Sequence, residues 1–149
     1  MKLKEFRVQN YKKVRDTGWV SVKDLTVFVG KNEAGKSAVF RGLSKLNPSD
    51  GEKYDGLKEF PRRRYTNEFK QQDWPAASGK FLLDEAEKAE LEGICSLLKN
   101  VREVTCTRHY SWTIEIEFGK AIGLQDISRK RFQEEMDKIK KEDRGQSFT

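Results

Sequence analysis

The stretch from residue 25 to residue 48 constrains the fold more than any other part of the sequence. An apolar run, Leu25 to Val29, leads directly into GKNEAGKS at residues 30–37. A short, continuous apolar run rich in β-branched residues predicts a strand buried on both faces. A helix is predicted next, because apolar residues recur at spacings of three and four at Val39, Phe40, Leu43 and Leu46. Asn47 and Pro48 then predict the end of that helix.

The segment between strand and helix carries the pattern G-x-x-x-x-G-K-S, which is typical of a loop that wraps phosphate groups. Its glycines permit a sharp turn and a close approach to oxygen atoms, and the following helix presents its positive dipole end to an anion. In such loops the lysine, here Lys36, reaches the β- and γ-phosphates, and the hydroxyl of Ser37 ligates Mg²⁺. The pattern predicts an ATP–Mg²⁺ site formed by Gly30, Lys31, Asn32, Glu33, Ala34, Gly35, Lys36, Ser37 and Ala38. The alternative is a strand-to-helix turn without a ligand.

The remaining elements are predicted from shorter patterns. The opening LKEFRVQN predicts an edge or half-buried strand, and WVSV at residues 19–22 predicts its hairpin partner. Residues 47–76 are rich in turn formers and charge, which predicts a functional loop or irregular structure containing short strands. Asp84 and Glu87 form a D-x-x-E capping box before a helix whose apolar face contains Leu91, Ile94, Cys95 and Leu98. Residues 104–118 predict a β-hairpin.

Composition narrows the class of protein. The formal charge of +6 is suited to a polyanionic partner, although a solubilising surface gives the same excess of lysine and arginine. Two cysteines and a single histidine, His109, argue against a disulfide framework and against a zinc site. The sequence contains no apolar run long enough to cross a membrane and no signal region at its start, so we expect a cytoplasmic protein.

Two motifs together resemble a known family. Asn10, Tyr11 and Lys12 follow the first predicted strand, and GKNEAGKS comes after a short hairpin. This order resembles the amino-terminal lobe of SMC-like ABC ATPases, and most closely the RecF-like and OLD-like ATPases of the AAA family, which combine N-[FY]-[KR] with G-x-N-x-[AS]-G-K-[ST]. The resemblance is specific over residues 1–46 and weaker over residues 58–118.

The resemblance implies an α/β fold, the P-loop NTPase (ABC/SMC-like) amino-terminal lobe: a mixed sheet with the P-loop helix packed against it and an antiparallel hairpin beside it. Residues 1–123 would form this lobe. Residues 124–149, which are charged and helix-prone, would form a tail that begins a coiled-coil arm or an insertion.

The resemblance also implies an ATP-driven clamp that acts on DNA, in repair, chromosome maintenance or phage defence. In such proteins a carboxy-terminal lobe carries the signature motif and Walker B, and two heads enclose the ATP. The sequence shows no LSGG-like stretch and no apolar run ending in Asp-Glu near its carboxy terminus. We therefore expect a lobe that cannot hydrolyse ATP alone and that pairs with a carboxy-terminal lobe or a second head, a homodimer included. By the same resemblance, Lys12 or Lys13 would lie near the nucleotide.

Other residues have both a functional and a structural interpretation. Asp84 and Glu85 follow KFLL and could act as Walker B in a complete small AAA+-like enzyme, but the apolar run is only three residues long and Asp84 already serves as a helix cap. Gln71 and Gln72 fit either a Q-loop that senses the γ-phosphate or a polar loop. Arg62, Arg63 and Arg64 fit either a grip on a DNA backbone or acidic partner, or a solvated loop. A third hypothesis makes the chain a non-enzymatic DNA- or partner-binding module with a vestigial nucleotide site.

Overall fold

The computed structural model describes residues 1–30, 35–49 and 51–119. The chain divides into two compact units. Among the described residues, the larger comprises those of Lys2–Phe81 and Thr105–Glu117, and the smaller comprises Met1, Leu82–Val104, Phe118 and Gly119. The predicted boundary at residue 123 and the predicted helical tail lie outside the described residues.

Helices and strands alternate irregularly along the chain. In chain order they are β1 (Lys2–Tyr11), β2 (Val14–Asp16), β3 (Val20–Ser21), α1 (Lys36–Ser44), α2 (Gly56–Glu59), α3 (Arg62–Glu68), β4 (Pro75–Leu82), α4 (Glu85–Ile94), β5 (Glu103–His109) and β6 (Ile114–Phe118). Short 3₁₀ helices span Phe69–Gln71 and Ser96–Leu98. No helix within the described ranges is long and apolar enough to cross a membrane.

The strands form one sheet in the order β2-β1-β4-β5-β6, and β3 also pairs with β1. The predicted hairpin partner of the first strand is confirmed, because Val20 of β3 lies opposite Phe6 in an antiparallel pair. The sequence did not predict β2, which pairs with β1 through Gln9 and Asp16. β1 is not an edge strand, since it has neighbours on both sides. The half-buried alternative is confirmed, because the buried Phe6 and Val8 alternate with the partly exposed Glu5, Arg7 and Gln9.

The sheet is antiparallel and not mixed. β1 pairs antiparallel with β2 and with β3. β4 also runs antiparallel to β1, because Lys80 near the end of β4 contacts Glu5 near the start of β1. At the other end, the side chain of Asn10 donates to the carbonyl of Pro75. The mixed sheet that the family resemblance implies is therefore not found among the described strands.

Residues 25–29 do not form a strand. Leu25, Val27 and Val29 are 81%, 67% and 91% exposed, and only the ring of Phe28 packs, at 6.0 Å from the ring of Phe6. A strand buried on both faces needs neighbours that pair with its backbone and cover its side chains. The described part of the chain provides no such neighbours for this segment, so the prediction of a buried strand is wrong for this structure.

The helix that follows the glycine-rich loop is confirmed. α1 lies against β1, and the contact is close at Gly42, where an added Cβ would come within 2.7 Å of the Val8 side chain. Val39 is buried as predicted, whereas Phe40 is 50% exposed. The helix ends at Ser44, before the predicted end, although Leu46 still enters the core.

The segment from residue 47 to residue 76 was predicted to be a functional loop or irregular structure with short strands. It contains helices instead, and β4 begins at its end, at Pro75. The carboxylate of Asp55 caps α2 by accepting from the backbone amides of Leu57 and Lys58. After α2, Phe60 is only 1% exposed. Its ring lies 5.0–6.5 Å from four others, namely those of Tyr65, Phe69, Trp74 and Tyr110. These aromatic contacts bury Phe60, while no residue of α3 is itself buried.

In the smaller unit, the predicted capping box is confirmed. The Asp84 carboxylate accepts from the amide of Glu87 at 2.9 Å, and the Glu87 carboxylate accepts from the amide of Asp84 at 2.9 Å. α4 ends at Ile94. Of the residues predicted to form its apolar face, Ile94 is 57% exposed, whereas Cys95, the first residue after the helix, is buried. The predicted hairpin at residues 104–118 is confirmed as β5 and β6, and its residues 105–117 belong to the larger unit.

A buried ion pair links α1 to α2 in the larger unit. Lys45 and Glu59 are 5% and 7% exposed, and the Lys45 ammonium donates to Oε1 of Glu59 at 2.7 Å. The hydroxyl of Tyr11 donates to the same oxygen at 2.9 Å, and the amide of Asp55 donates to Oε2 at 2.9 Å. Each oxygen of the buried carboxylate is therefore hydrogen-bonded.

This network predicts a pH dependence of stability. Burial by itself raises the pKa of Glu59, but the hydrogen bonds from Lys45, Asp55 and Tyr11 outweigh it and hold that pKa below its ordinary value. A carboxyl whose pKa is lower in the folded state stabilises the fold above its unfolded pKa of about 4.3 and loses that contribution as the pH falls through the folded value. We expect the free energy of unfolding to decrease below about pH 4.3, and to decrease less steeply in Glu59→Gln.

Urea unfolding at a series of pH values measures this difference. The exposed Glu117 provides the matched control, and Glu117→Gln should keep the parent slope. Equal slopes for Glu59→Gln and the parent chain would contradict the prediction.

Candidate phosphate-binding site

The carboxy-terminal end of the glycine-rich loop is built by Gly35 and the first turn of α1. Gly35 is the residue before the helix and has φ 88° and ψ 10°, the left-handed conformation that glycine adopts without a steric penalty. No side chain caps this helix, and its first turn contains no acidic residue. The helix thus begins with its amides and its positive dipole end unopposed by a carboxylate, which favours an anion there. Residues 31–34 of the predicted site lie outside the described residues.

Lys36 closes the loop onto its own beginning. Its ammonium donates a hydrogen bond to the carbonyl of Gly30, six residues earlier. The Lys36 side chain therefore lies next to the backbone of Gly30. Ser37 and Ala38 follow in the first turn of α1, where the Ser37 side chain is exposed.

The motif Asn10-Tyr11-Lys12 has a structural role at the end of β1. Asn10 has a positive φ of 52°, and its amide group donates to the carbonyl of Pro75 while accepting from the guanidinium of Arg64. Tyr11 is 1% exposed and bonds to Glu59. Lys12 also has a positive φ, 53°, and its backbone amide donates to the carbonyl of Glu59 at 2.5 Å. Asn10 and Tyr11 are thus anchored at the turn that precedes β2.

The helix after Gly35 and the anchored end of β1 lie in a stretch of sequence that matches a known protein family. Residues 1–144 match the family model described as an AAA ATPase domain. The chain belongs to the AAA ATPase domain family. This confirms the resemblance noted from Asn10, Tyr11, Lys12 and GKNEAGKS. No curated protein matches the sequence.

Lys12 and Lys13 of this AAA ATPase domain line a cleft of about 1030 Å³ in the larger unit. The other lining residues are Arg15, Lys58, Phe60, Pro61, Arg62, Arg63, Arg64 and Glu68. Among the described residues of the predicted loop, none lines this cleft. The structure groups the two lysines with the arginine cluster, and their placement near the nucleotide stays a prediction.

Only part of the predicted arginine cluster is exposed. The guanidinium of Arg64 donates to Glu68 at 2.7 Å and to Asn10 at 2.7 Å, and it lies 4.9 Å from the centre of the Trp74 ring. Arg62 and Arg63 are exposed. Arg64 therefore holds α3 against β1, while its two neighbours remain accessible to a ligand. No pattern in the sequence distinguishes Arg64 from its two neighbours.

Asp84 and Glu85, the Walker B candidates, lie in the smaller unit. Asp84 bonds to the Glu87 amide and lies 3.6 Å from the amino terminus. Glu85 is 92% exposed and pairs with Lys88 at 2.7 Å. β4, which precedes them, is longer than the three apolar residues seen in the sequence, so the short-strand argument against Walker B fails. The argument from the helix cap is the one that the structure supports.

Gln71 and Gln72, the Q-loop candidates, lie at the end of a 3₁₀ helix. The amide group of Gln71 donates to the carbonyl of Asn67 at 2.5 Å. Gln72 lines a small cavity of about 240 Å³ together with Asn10, Arg64 and Trp74, among others. Neither contacts Lys36 or Ser37 in a hydrogen bond described here, and their role stays a prediction.

Proposed function

We propose that this AAA ATPase domain is the ATP–Mg²⁺-binding lobe of an SMC/RecF/OLD-like ATPase that acts on DNA, and that it is incomplete for hydrolysis alone. The observation that carries the proposal is the geometry at Gly35: a left-handed glycine, an uncapped helix start and a Lys36 ammonium that donates to the carbonyl of Gly30. Backbone amides there would bind the phosphates, Lys36 would neutralise the terminal phosphates, and the Ser37 hydroxyl would ligate the Mg²⁺ held by them.

Two observations support incompleteness. The segment that enters the loop exposes Leu25, Val27 and Val29, which indicates that a further strand is needed to cover it. The Asp84 carboxylate is engaged as a helix cap. Phosphoryl transfer needs a group that orients water and groups that neutralise charge in the transition state. We propose that a carboxy-terminal lobe or a second head provides them.

Binding of Mg-ATP tests the nucleotide site. A ligand selective for the folded state at about 100 times its Kd stabilises by about 2.7 kcal/mol, which raises the melting temperature of a chain of this size by about 5–10 °C. We expect this shift for the parent chain and its loss in Lys36→Ala. Lys23→Ala, which removes an exposed lysine, is the matched control and should retain the shift. The absence of any shift in the parent chain would favour a module with a vestigial site.

Turnover tests incompleteness separately. We expect the chain alone to hydrolyse ATP far more slowly than the roughly 1–100 per second typical of phosphoryl-transfer enzymes. A rate of about 1 per second or faster, abolished by Lys36→Ala, would overturn incompleteness. Loss of that rate in Glu85→Gln, with nucleotide binding intact, would assign Walker B to Asp84 and Glu85.

A further inference from the structure

The cleft beside the end of β1 concentrates the positive charge of the chain. Among the described residues, seven lysines and arginines line this cleft, whereas Glu68 is the one acidic residue that does. These described lining residues carry a formal net charge of +6, which equals the formal net charge of the whole sequence.

The cations come from two walls that are far apart in the sequence. Lys12, Lys13 and Arg15 lie at the turn between β1 and β2 and on β2 itself. The second wall is formed by α2 and α3, which provide Lys58, Arg62 and Arg63. The anchoring of β1 described above joins the walls, since Asn10 accepts from Arg64 and the amide of Lys12 donates to Glu59.

Most of these cations are available to a ligand. Five of them, Lys12, Lys13, Arg15, Arg62 and Arg63, are exposed and form no ion pair with another described residue. Lys58 pairs only with Asp55, at 3.4 Å, and is 79% exposed. Arg64 and Glu68 pair with each other and support the wall. Like charges brought together without counterions repel one another, so such a group indicates a ligand with several negative charges.

We propose that this cleft binds the phosphate backbone of a nucleic acid, without reading its base sequence. Several cations spread over two walls and a volume of about 1030 Å³ fit a row of phosphates better than a single anion. The aromatic ring in the lining, Phe60, is 1% exposed and offers no face on which a base could stack. Contacts to phosphates position a nucleic acid but carry no sequence information. This proposal rests on the DNA-acting part of the proposed function and not on the nucleotide site.

Fluorescence anisotropy with a labelled duplex of about 20 base pairs tests the proposal, with a single strand of the same length as a second probe. Each phosphate contact contributes about −0.9 to the slope of log K against log salt concentration for duplex DNA. Lys12→Gln/Lys13→Gln and Arg62→Gln/Arg63→Gln each remove two cations, one pair from each wall. We expect each double variant to reduce the slope by about 2 and the affinity at low salt by at least about tenfold.

The matched control removes the same charge elsewhere. Lys2→Gln/Lys23→Gln replaces two exposed lysines outside the cleft and should leave affinity within about threefold of the parent chain. Equal losses in the control and in both cleft variants would overturn the proposal. So would equal binding of polyglutamate, which would assign the cleft to an acidic protein, or of anionic lipid vesicles, which would assign it to a membrane surface.

Lys36→Ala separates this proposal from the nucleotide site. Duplex binding without ATP should be unchanged in this variant, because Lys36 does not line the cleft. A parent chain that binds duplex but not Mg-ATP would support the cleft and refute the nucleotide site. A loss of duplex binding in Lys36→Ala equal to that of the cleft variants would overturn the proposal instead.

Discussion

Lys45→Met is expected to lower the free energy of unfolding by about 3–5 kcal/mol, the range found when one partner of a buried ion pair is removed. The side chains of Lys45 and Glu59 are 6% and 10% exposed and 2.7 Å apart. Methionine fills a similar volume but leaves the Glu59 charge buried, with only neutral donors from Tyr11 and Asp55. Urea denaturation at neutral pH measures the loss.

The control for this prediction is Lys2→Met. Lys2 is 78% exposed, and its ion pair with Asp24, at 3.8 Å, is exposed as well. The same substitution there should cost less than about 1 kcal/mol. Lys45→Met/Glu59→Gln should recover part of the loss, because the second change removes the unpaired charge. A cost for Lys45→Met no larger than for Lys2→Met would show that Lys45 adds nothing at this site.

Phe60→Ala is expected to destabilise the larger unit by about 3–5 kcal/mol, which is typical of truncating a buried phenylalanine. Phe60 is 1% exposed, and its ring packs against those of Phe69, Trp74 and Tyr110 at 5.0, 5.8 and 5.5 Å. Alanine would leave a cavity among rings that are held in place by other contacts, and such a site collapses poorly. Thermal and urea unfolding both measure the change.

Two further variants serve as comparisons for Phe60→Ala, namely Phe60→Leu and Phe40→Ala. Leucine retains part of the volume and should cost about 1–2 kcal/mol. Phe40 is 50% exposed, so its truncation should cost at most about 1 kcal/mol. If Phe60→Ala were no more destabilising than Phe40→Ala, the aromatic cluster would not be the centre of stability that its burial indicates.

Elements specified by neighbouring residues were predicted well. The capping box of Asp84 and Glu87 is confirmed, because both hydrogen bonds join residues three positions apart. The helix after Gly35 is confirmed for a similar reason: a glycine that can adopt a positive φ and the apolar spacing after it determine a local structure. The hairpin of β5 and β6 also follows from a short alternating pattern and a tight turn.

Errors arose where a segment needed a partner from elsewhere. The run from Leu25 to Val29 has the composition of a buried strand, but composition cannot provide the neighbouring strands that would bury it. The segment with PRRR was predicted to be either a functional loop or irregular structure containing short strands. Its helices form where Phe60 enters a cluster with rings as distant in sequence as Tyr110. In both cases burial was decided by contacts that no local pattern contains.

The sequence by itself determined the helix after Gly35, the capping box of α4 and the family, because these depend on residue types at fixed short spacings. The tertiary structure alone decided that Lys45 pairs with Glu59, 14 residues away, and that Arg64 bonds to Asn10, 54 residues away. It also decided that Lys12 and Arg62 line one cleft. Contacts between such distant residues depend on how β1, α1 and α3 pack, and packing is a property of the whole fold rather than of any short stretch.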